Sequence, residues 1–240
     1  MKFALLGDIH GNWHALEAVI GCLSGEQVDR IICTGDIVGY GAFPSECLHW
    51  VQDNCDPVVR GNHDHFTAGT TSAFSFNPRA RTALNWTADR LSPEEIAWLG
   101  ELPLKAIEGD VLIVHGHPIL PEAWLYILER RQADAALEAV EERVVVIGHS
   151  HIQACFRFKS PTVDLDPGTP VQLGQRRAVL NPGSVGQPRD GDPRAAWAIL
   201  DTEEWIFTPQ RTEYDVAAAR EAILAAELPR ELGDRLLVGY

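Results

Sequence analysis

Up to about residue 150, short apolar runs alternate with longer segments that have helical spacing. Phe3–Leu6 and Arg30–Cys33 are each predicted to form a buried strand, and His14–Leu23, between them, repeats apolar residues on one helical face. Pro44–Val51 is predicted to be a second helix, and Pro57–Val59 a third short strand. This β-α-β-α-β order is typical of a layered α/β domain with parallel neighbouring strands.

The middle of the chain continues with helices and a hairpin. Residues 78 to 101 have a helical pattern, with a capping box at 92 to 95. Two apolar runs, Leu104–Ile107 and Val111–Val114, flank Glu108-Gly109-Asp110, which indicates a β-hairpin. The remaining predicted elements are a helix at Ala133–Val140, strands at Val144–Ile147, Ile152–Phe158, Arg177–Leu180, Ala196–Leu200 and Trp205–Phe207, and a helical tail from Val216.

No internal repeat, linker or low-complexity tract interrupts this pattern. A chain of 240 residues is long enough to bury a substantial core. We therefore expect one domain, residues 1–240, built from two packed sheets with outer helices.

The composition narrows the class of partner. A net charge of -14 would repel a long nucleic acid. No apolar stretch reaches the length of about 18 residues needed to span a membrane. The N-terminus lacks the basic region, apolar run and cleavage site that form a signal peptide in that order. The five cysteines include no CxxC pair, which indicates reduced thiols. We expect a cytoplasmic protein that acts on a small substrate, and a homo-oligomer is compatible with the sequence.

Five polar clusters follow apolar runs, at places where predicted strands end. Strand ends hold side chains on a rigid frame at the carboxyl edge of a sheet, where ligand sites of α/β proteins lie. A single cluster of this kind is more often an incidental surface pair or a turn, but five in order are hard to explain by chance. They are Gly7-Asp8-Ile9-His10-Gly11-Asn12, Gly35-Asp36, Gly61-Asn62-His63-Asp64, Val114-His115-Gly116 and Gly148-His149-Ser150-His151.

The residue types in these clusters suit a transition-metal site. Residues i and i+2 of an extended segment project to one face, so Asp8 and His10 can share a metal, and His149 and His151 can face the same centre. Imidazole nitrogens together with carboxylate and amide oxygens favour manganese, iron, zinc, nickel or cobalt over calcium. We expect manganese.

The ordered set of clusters, over residues 7 to 151, resembles the motif series of the calcineurin-like metallophosphoesterases. The resemblance implies a four-layer α-β-β-α sandwich of two mixed sheets and two divalent metal ions per chain. It implies that His63 is catalytic and touches the substrate, and that Asp64 orients it. It assigns the first metal to Asp8, His10, Asp36 and His151, and the second to Asp36, Asn62, His115 and His149, with Asp36 as the bridge.

This site implies phosphoester hydrolysis by a metal-activated hydroxide. Two divalent ions about 3.5–4 Å apart lower the pKa of a shared water and offset charge that develops on the phosphoryl group. His63, as an imidazolium, can donate a proton to the leaving oxygen. A phosphodiester or a related nucleotide phosphoanhydride is the expected substrate.

Two further features bear on substrate contacts. Asn181-Pro182-Gly183-Ser184 resembles a loop of small bacterial and archaeal metallophosphoesterases, and it can offer N–H groups and the Ser184 hydroxyl to a phosphate. A tight structural loop is the alternative interpretation. Arg189 and Arg194 are nearby cations suited to an anionic substrate.

The stretch from Gly35 to Gly41 separates this chain from the protein serine/threonine phosphatases. Their Gly-Asp-x-Val-Asp-Arg-Gly motif carries a phosphate-binding arginine, whereas this chain has Gly39-Tyr40 at the last Asp-Arg pair. A dianionic monoester is therefore a poorer expected substrate than a monoanionic diester or an anhydride. Tyr40 can stack on a base or pack at the rim. The competing functions are a phosphomonoesterase or protein phosphatase, and a non-catalytic metal-binding scaffold.

Overall fold

The computed structural model describes residues 1–69 and 76–240. The strands are β1 (Lys2–Leu6), β2 (Arg30–Cys33), β3 (Lys105–Glu108), β4 (Val111–Val114), β5 (Val144–Val146), β6 (Ala154–Arg157), β7 (Val171–Gln172), β8 (Ala178–Asn181), β9 (Ala195–Asp201) and β10 (Ile206–Thr212). The helices are α1 (Trp13–Leu23), α2 (Pro44–Asn54), α3 (Asn62–Thr67), α4 (Pro78–Ala88), α5 (Pro93–Glu101), α6 (Arg130–Glu138), α7 (Val216–Ala225) and α8 (Arg230–Asp234), with 3₁₀ turns at Pro121–Ala123 and Arg235–Leu237.

The strands form two five-stranded mixed sheets. The first has the order β2-β1-β9-β10-β7, in which only the β1–β2 pair is parallel. The second has the order β3-β4-β5-β8-β6, with a parallel centre and an antiparallel strand at each edge. The carboxyl ends of β1, β2, β4 and β5 are where the polar clusters of the sequence begin.

The two-residue period of the strands explains the layers. In β1, Phe3 and Leu5 pack between the two sheets, whereas Ala4 belongs to the core covered by α1 and α2. In β4, Ile113 faces the space between the sheets and Leu112 packs with α6. Because both faces of both sheets are covered by apolar side chains, the chain forms the expected four-layer α-β-β-α sandwich.

A fourth apolar cluster lies beside the sandwich. It joins α4 to α7 and α8, and it includes Tyr40 together with Ile223, Leu232 and Leu236. This packing brings the last helical turns of the chain next to the loop that follows β2. The C-terminal tail thereby reaches the edge of the sheets where the polar clusters lie.

Most predicted elements are confirmed, and one differs. Residues 57 to 59 do not form a strand, since Val58 makes only a single bridge to Cys33 before the chain turns into α3. The helical region from 78 to 101 consists of α4 and α5, and Ser92 caps α5 through the predicted capping box. Within the described residues, no helix is long and apolar enough to cross a membrane.

Candidate metal centre

The polar side chains that follow the strand ends lie together in one buried site. Asp8 and His10 follow β1, Asp36 follows β2, and His115 follows β4 directly. His149 and His151 follow β5, and all six side chains are buried. Charged and imidazole groups are rarely enclosed together without a compensating partner, so the cluster indicates a ligand site.

Two groups of donor atoms share one carboxylate. The donors of Asp8, His10, Asp36 and His151 lie within 4.8 Å of one another, and those of Asp36, His115 and His149 form a second such group. Asp36 Oδ2 lies 3.6 Å from His10 Nε2 and 3.4 Å from His115 Nε2. Asp36 is thus the one residue common to both groups.

The imidazoles of the first group are held with their lone pairs inward. His10 Nδ1 donates to the Val38 carbonyl over 3.2 Å, and His151 Nδ1 donates to the Gln187 carbonyl over 2.6 Å. Each Nε2 is then an acceptor, and the two Nε2 atoms face each other at 3.1 Å. Two facing lone pairs repel unless a cation lies between them, so these residues fit a metal ion.

The imidazoles of the second group are also held by hydrogen bonds to backbone carbonyls. His115 Nδ1 lies 2.8 Å from the Thr34 carbonyl, which leaves its Nε2 facing the amide oxygen of Asn62 at 3.1 Å. His149 is reversed, because its Nε2 donates to the Trp124 carbonyl over 2.8 Å and leaves Nδ1 free to bind. The structure therefore brings Asn62 to this group, as its place in the sequence suggested.

The backbone at these positions is strained. Asp8, His10, Asp36, His149 and His151 all have φ between 50° and 67°, in the left-handed region that non-glycine residues rarely adopt. Each such residue costs on the order of 1–3 kcal/mol and persists only where its surroundings hold it. This strain is concentrated where the donor atoms converge, as expected of a functional site.

Burial and neighbouring charges shift the pKa values of the buried groups in opposite directions. Burial raises the pKa of Asp8 to about 7. Burial would also raise the pKa of Asp36, but His115 and His63 hold it well below its usual value. Burial lowers the pKa of His115, yet Asp36 and Asp8 raise it to about 9. The centre therefore binds positive charge, which a divalent cation would supply in place of protons.

His63 lies beside the centre without joining either donor group. Its ring packs against Tyr40 at 4.4 Å and Phe76 at 5.2 Å between centroids, and its ring centroid lies 4.7 Å from that of His10. Burial lowers the pKa of His63 to about 4, so the imidazole is neutral near neutral pH when no anion is bound. This differs from the imidazolium expected from the sequence.

Asp64 does not contact the His63 ring. Its carboxylate accepts N–H groups from Gly61, Asp36 and Ile37 at 2.8–3.0 Å. These bonds fix the loop that carries Asp36, while Asp36 Oδ1 accepts the backbone N–H of His63 at 2.8 Å. The expected orienting role of Asp64 is corrected accordingly: Asp64 holds backbone, and it reaches His63 only through that backbone.

A cleft of about 560 Å³ opens over the centre. Tyr40 and Arg189, both predicted from the sequence to contact substrate, line it. Sequence reasoning missed Trp124, Tyr126 and Arg235, which also line it. Tyr126 stacks on His149 with centroids 4.0 Å apart. The two aromatic residues lie in an irregular segment with no motif, and Arg235 lies far along the chain, so no local signal marked them.

Ser184 and Arg194 do not line the cleft. The buried Ser184 hydroxyl donates to the Asp8 carbonyl over 2.7 Å and accepts the Gln187 N–H at 2.8 Å. Arg194 is bound by two nitrogens to the carboxylate of Asp192. The expected substrate contacts of Ser184 and Arg194 are therefore corrected, because both side chains already have protein partners away from the cleft.

The fold and the paired donor groups are those of a metallophosphoesterase. The family model of the calcineurin-like phosphoesterase superfamily domain matches residues 1–205. The chain belongs to this superfamily.

Its relatives include proteins of similar length and others of greater length. A metallophosphoesterase structure from Sphaerobacter thermophilus is 37% identical with a TM-score of 0.91, covering 100% of this chain and 99% of that one. The uncharacterized protein MJ0912 of Methanocaldococcus jannaschii is 36% identical, over 98% of this chain and 97% of its own. The symmetrical bis(5'-nucleosyl)-tetraphosphatase of Erwinia tasmaniensis is 32% identical over 136 residues, 52% of this chain and 46% of that protein.

Proposed function

We propose that the protein is a dinuclear metal-dependent hydrolase of phosphodiesters or nucleotide phosphoanhydrides. The observation that carries this proposal is the sharing of Asp36 by two donor groups, in each of which imidazole nitrogens and carboxylate oxygens lie within 4.8 Å of one another. Two divalent ions, which we propose to be manganese, would supply an activated water as nucleophile and a Lewis acid for the phosphoryl oxygens.

In this proposal seven residues bind the two metal ions and His63 donates a proton. Asp8, His10, Asp36 and His151 hold one ion, and Asp36, Asn62, His115 and His149 hold the other. His63 stands beside the cleft as the proton donor. A bound phosphate anion would favour its protonated form, so the ring takes up a proton with the substrate and passes it to the leaving oxygen.

The surroundings of His63 support a substrate with a good leaving group. Gly39 lies against His63 Nδ1, since a Cβ added to Gly39 would come within 2.4 Å of that nitrogen. Among the described residues, His63 forms no ion pair with a carboxylate, and the charge of Asp36, which raises the pKa of the ring, does not offset the effect of burial. A phosphate or aryl oxide leaves as a stable anion and needs little protonation, whereas a serine alkoxide needs much. The site therefore favours anhydrides and activated diesters over phosphoproteins.

Two further points support the same class of substrate. The cleft places aromatic rings, Trp124 and Tyr126, beside the donor groups, and such rings can stack on a base. The tetraphosphatase relative, which this chain matches over about half its length, is named for an anhydride substrate of two nucleosides.

The test is a comparison of kcat/KM at saturating manganese for four substrates. They are a bis-aryl phosphodiester, a dinucleoside tetraphosphate, an aryl monophosphate and a phosphopeptide. We expect the diester or the tetraphosphate to be turned over most efficiently and the phosphopeptide least. A phosphopeptide that exceeds both would move the protein to the phosphatase class. Absence of turnover with two metal ions bound would favour a non-catalytic scaffold.

A further inference from the structure

Two arginines donate hydrogen bonds to the same neutral oxygen atom in the wall of the cleft. Arg189 Nη2 donates to the amide oxygen of Gln187 over 2.9 Å, and Arg235 Nη1 donates to the same oxygen over 3.2 Å. Gln187 is 1% exposed, so this oxygen is a fixed part of the wall. Both arginines also line the cleft over the donor groups.

Neither guanidinium has an acidic side-chain partner. Within residues 1–69 and 76–240, no Asp or Glu carboxylate pairs with Arg189 or Arg235, although the chain has a net charge of -14. Arg194 and Arg220, by contrast, are paired with aspartates. Two guanidinium groups without Asp or Glu partners share one neutral oxygen, so they leave N–H donors for an anion, and they repel each other until one binds. Burial and the charge of Arg189 lower the pKa of Arg235, as this repulsion requires.

Both arginines are held in place by backbone contacts. The backbone N–H of Arg189 donates to the carbonyl of His151 over 3.1 Å, which ties its position to the centre. Arg235 Nε donates to the main-chain oxygen of Tyr240, the last residue of the chain, over 2.6 Å. An anion that binds here therefore meets donors already positioned, which reduces the entropy lost on binding.

The arginine pair lines the cleft next to the donor groups. Arg189 Cζ lies 5.8 Å from the ring centroid of Tyr40. The same ring lies 4.6 Å from His10 and 4.4 Å from His63 between centroids. Tyr40 therefore neighbours both Arg189 and two histidines of the site, and Arg235 is joined to Arg189 through Gln187. A substrate group next to the one that is hydrolysed can reach this pair along the cleft.

We propose that Arg189 and Arg235, joined by Gln187, bind a second phosphate group of the substrate. The inference rests on the proposed function and narrows it: the substrates are phosphoanhydrides with at least two linked phosphates, such as nucleoside polyphosphates, in preference to simple diesters. One phosphate lies over the metal centre, and the next lies on the two guanidinium groups.

The test is calorimetric binding of two non-hydrolysed nucleotides to the manganese-loaded protein. AMP carries one phosphate, and α,β-methylene ADP carries two. We expect the protein to bind α,β-methylene ADP at least about tenfold more tightly than AMP, the scale of one charge-assisted contact. Arg235→Gln should remove most of this preference and weaken AMP binding much less. Arg230→Gln, on the exposed face of α8, should keep the preference.

A second variant checks that the effect of Arg235→Gln is not caused by misfolding. Gln187→Glu keeps the size of the side chain and places a carboxylate on both arginines, so it should abolish the preference for the second phosphate in the same way. Equal affinity of the wild type for the two nucleotides would overturn the inference, and so would equal losses for both in the variants. Hydrolysis of a bis-aryl phosphodiester, measured in parallel, tests the proposed function separately, because that substrate has one phosphate.

Discussion

Each imidazole of the centre is fixed by a bond on its outer nitrogen. Three histidines donate hydrogen bonds from Nδ1–H to backbone carbonyls, which sets their tautomers before any ion binds. The pairs are His10 with Val38, His115 with Thr34 and His151 with Gln187. His63 is different, because its Nδ1 is buried and has no hydrogen-bond partner. A ring without such a bond is poorly suited to be a ligand and free to change its protonation.

The first prediction concerns His63. His63→Gln should keep both metal ions and lower kcat by about 10²–10⁴-fold, the scale of a positioned general acid. The loss should be smaller for a nitrophenolate leaving group than for an alkoxide, because the former needs less protonation. His49 is an exposed histidine that pairs with Glu95, so His49→Gln is the matched control and should be close to the wild type. An equal loss for both leaving groups would show that His63 is not an acid catalyst.

At this scale, the motif clusters predicted which side chains converge, but not the contacts around them. Asp8, Asp36 and the histidines that we propose as ligands lie together because strands of both sheets end on the same side of the sandwich. The contacts of Asp64 could not be predicted, since they depend on how the loops at Asp36 and Gly61 pack. Arg235 could not be predicted because only the packing of α4 against α7 and α8 brings it to the cleft.

At the scale of elements, the loop after β8 braces the loop after β1. Val185 N–H donates to the Gly7 carbonyl and Gly186 N–H to the Asp8 carbonyl, each over 3.0 Å. A Cβ on Gly186 would come within 1.8 Å of the Ile9 carbonyl oxygen, so only glycine allows this approach. The loop that the sequence assigned to phosphate binding therefore supports the strained segment that carries Asp8 and His10.

Ser184→Ala tests this brace. It removes the hydrogen bond to the Asp8 carbonyl and leaves the Gln187 N–H unsatisfied, so the free energy of unfolding should fall by about 1–3 kcal/mol. Metal affinity should fall by about 10-fold or more, as for other groups that support ligands. Chemical denaturation and metal titration measure the two effects. Ser24→Ala, which removes an exposed hydroxyl bonded to Gly21, is the control, and an equally small effect at Ser184 would argue against the brace.

The apolar runs predicted most strands, because both faces of each sheet are covered and the central strands are buried throughout. The prediction failed for residues 57 to 59, where an apolar run too short for a ladder is followed at once by α3. The role of Ser184 was hidden for another reason. Its partner Asp8 is 176 residues away, and the contact exists only because the two sheets stack.

For the whole molecule, the buried centre makes stability depend on pH. Burial lowers the pKa values of four histidines at or beside the centre, to about 4 for His63 and about 3 for His149, whereas the ordinary value is 6.5. Between pH 4 and 6.5 the unfolded chain then binds protons that the folded chain excludes, so stability falls as pH falls. Asp8 and Asp64, with pKa values raised to about 7, and His115, with a pKa raised to about 9, act in the opposite direction. The four histidines are His10, His63, His149 and His151.

Because the four histidines outweigh these three groups, the metal-free protein should be less stable at pH 5 than at pH 7. Each net proton contributes about 1.4 kcal/mol per pH unit to the free energy of unfolding. Urea unfolding of the metal-free protein at the two pH values measures the difference, and His63→Gln should reduce it by removing one of the four groups. Equal or greater stability at pH 5 would show that these histidines are not enclosed as neutral rings.

The central claim is a dinuclear centre bridged by Asp36, and manganese titration of the metal-free protein tests it most directly. Bound metal per chain and hydrolysis of a bis-aryl phosphodiester are followed together, with Asp36→Asn beside the wild type and the exposed Asp53→Asn as control. We predict two ions per chain in the wild type, activity that requires the second ion, and loss of both ions in Asp36→Asn. Full activity with one ion, or two ions retained in Asp36→Asn, would contradict the account.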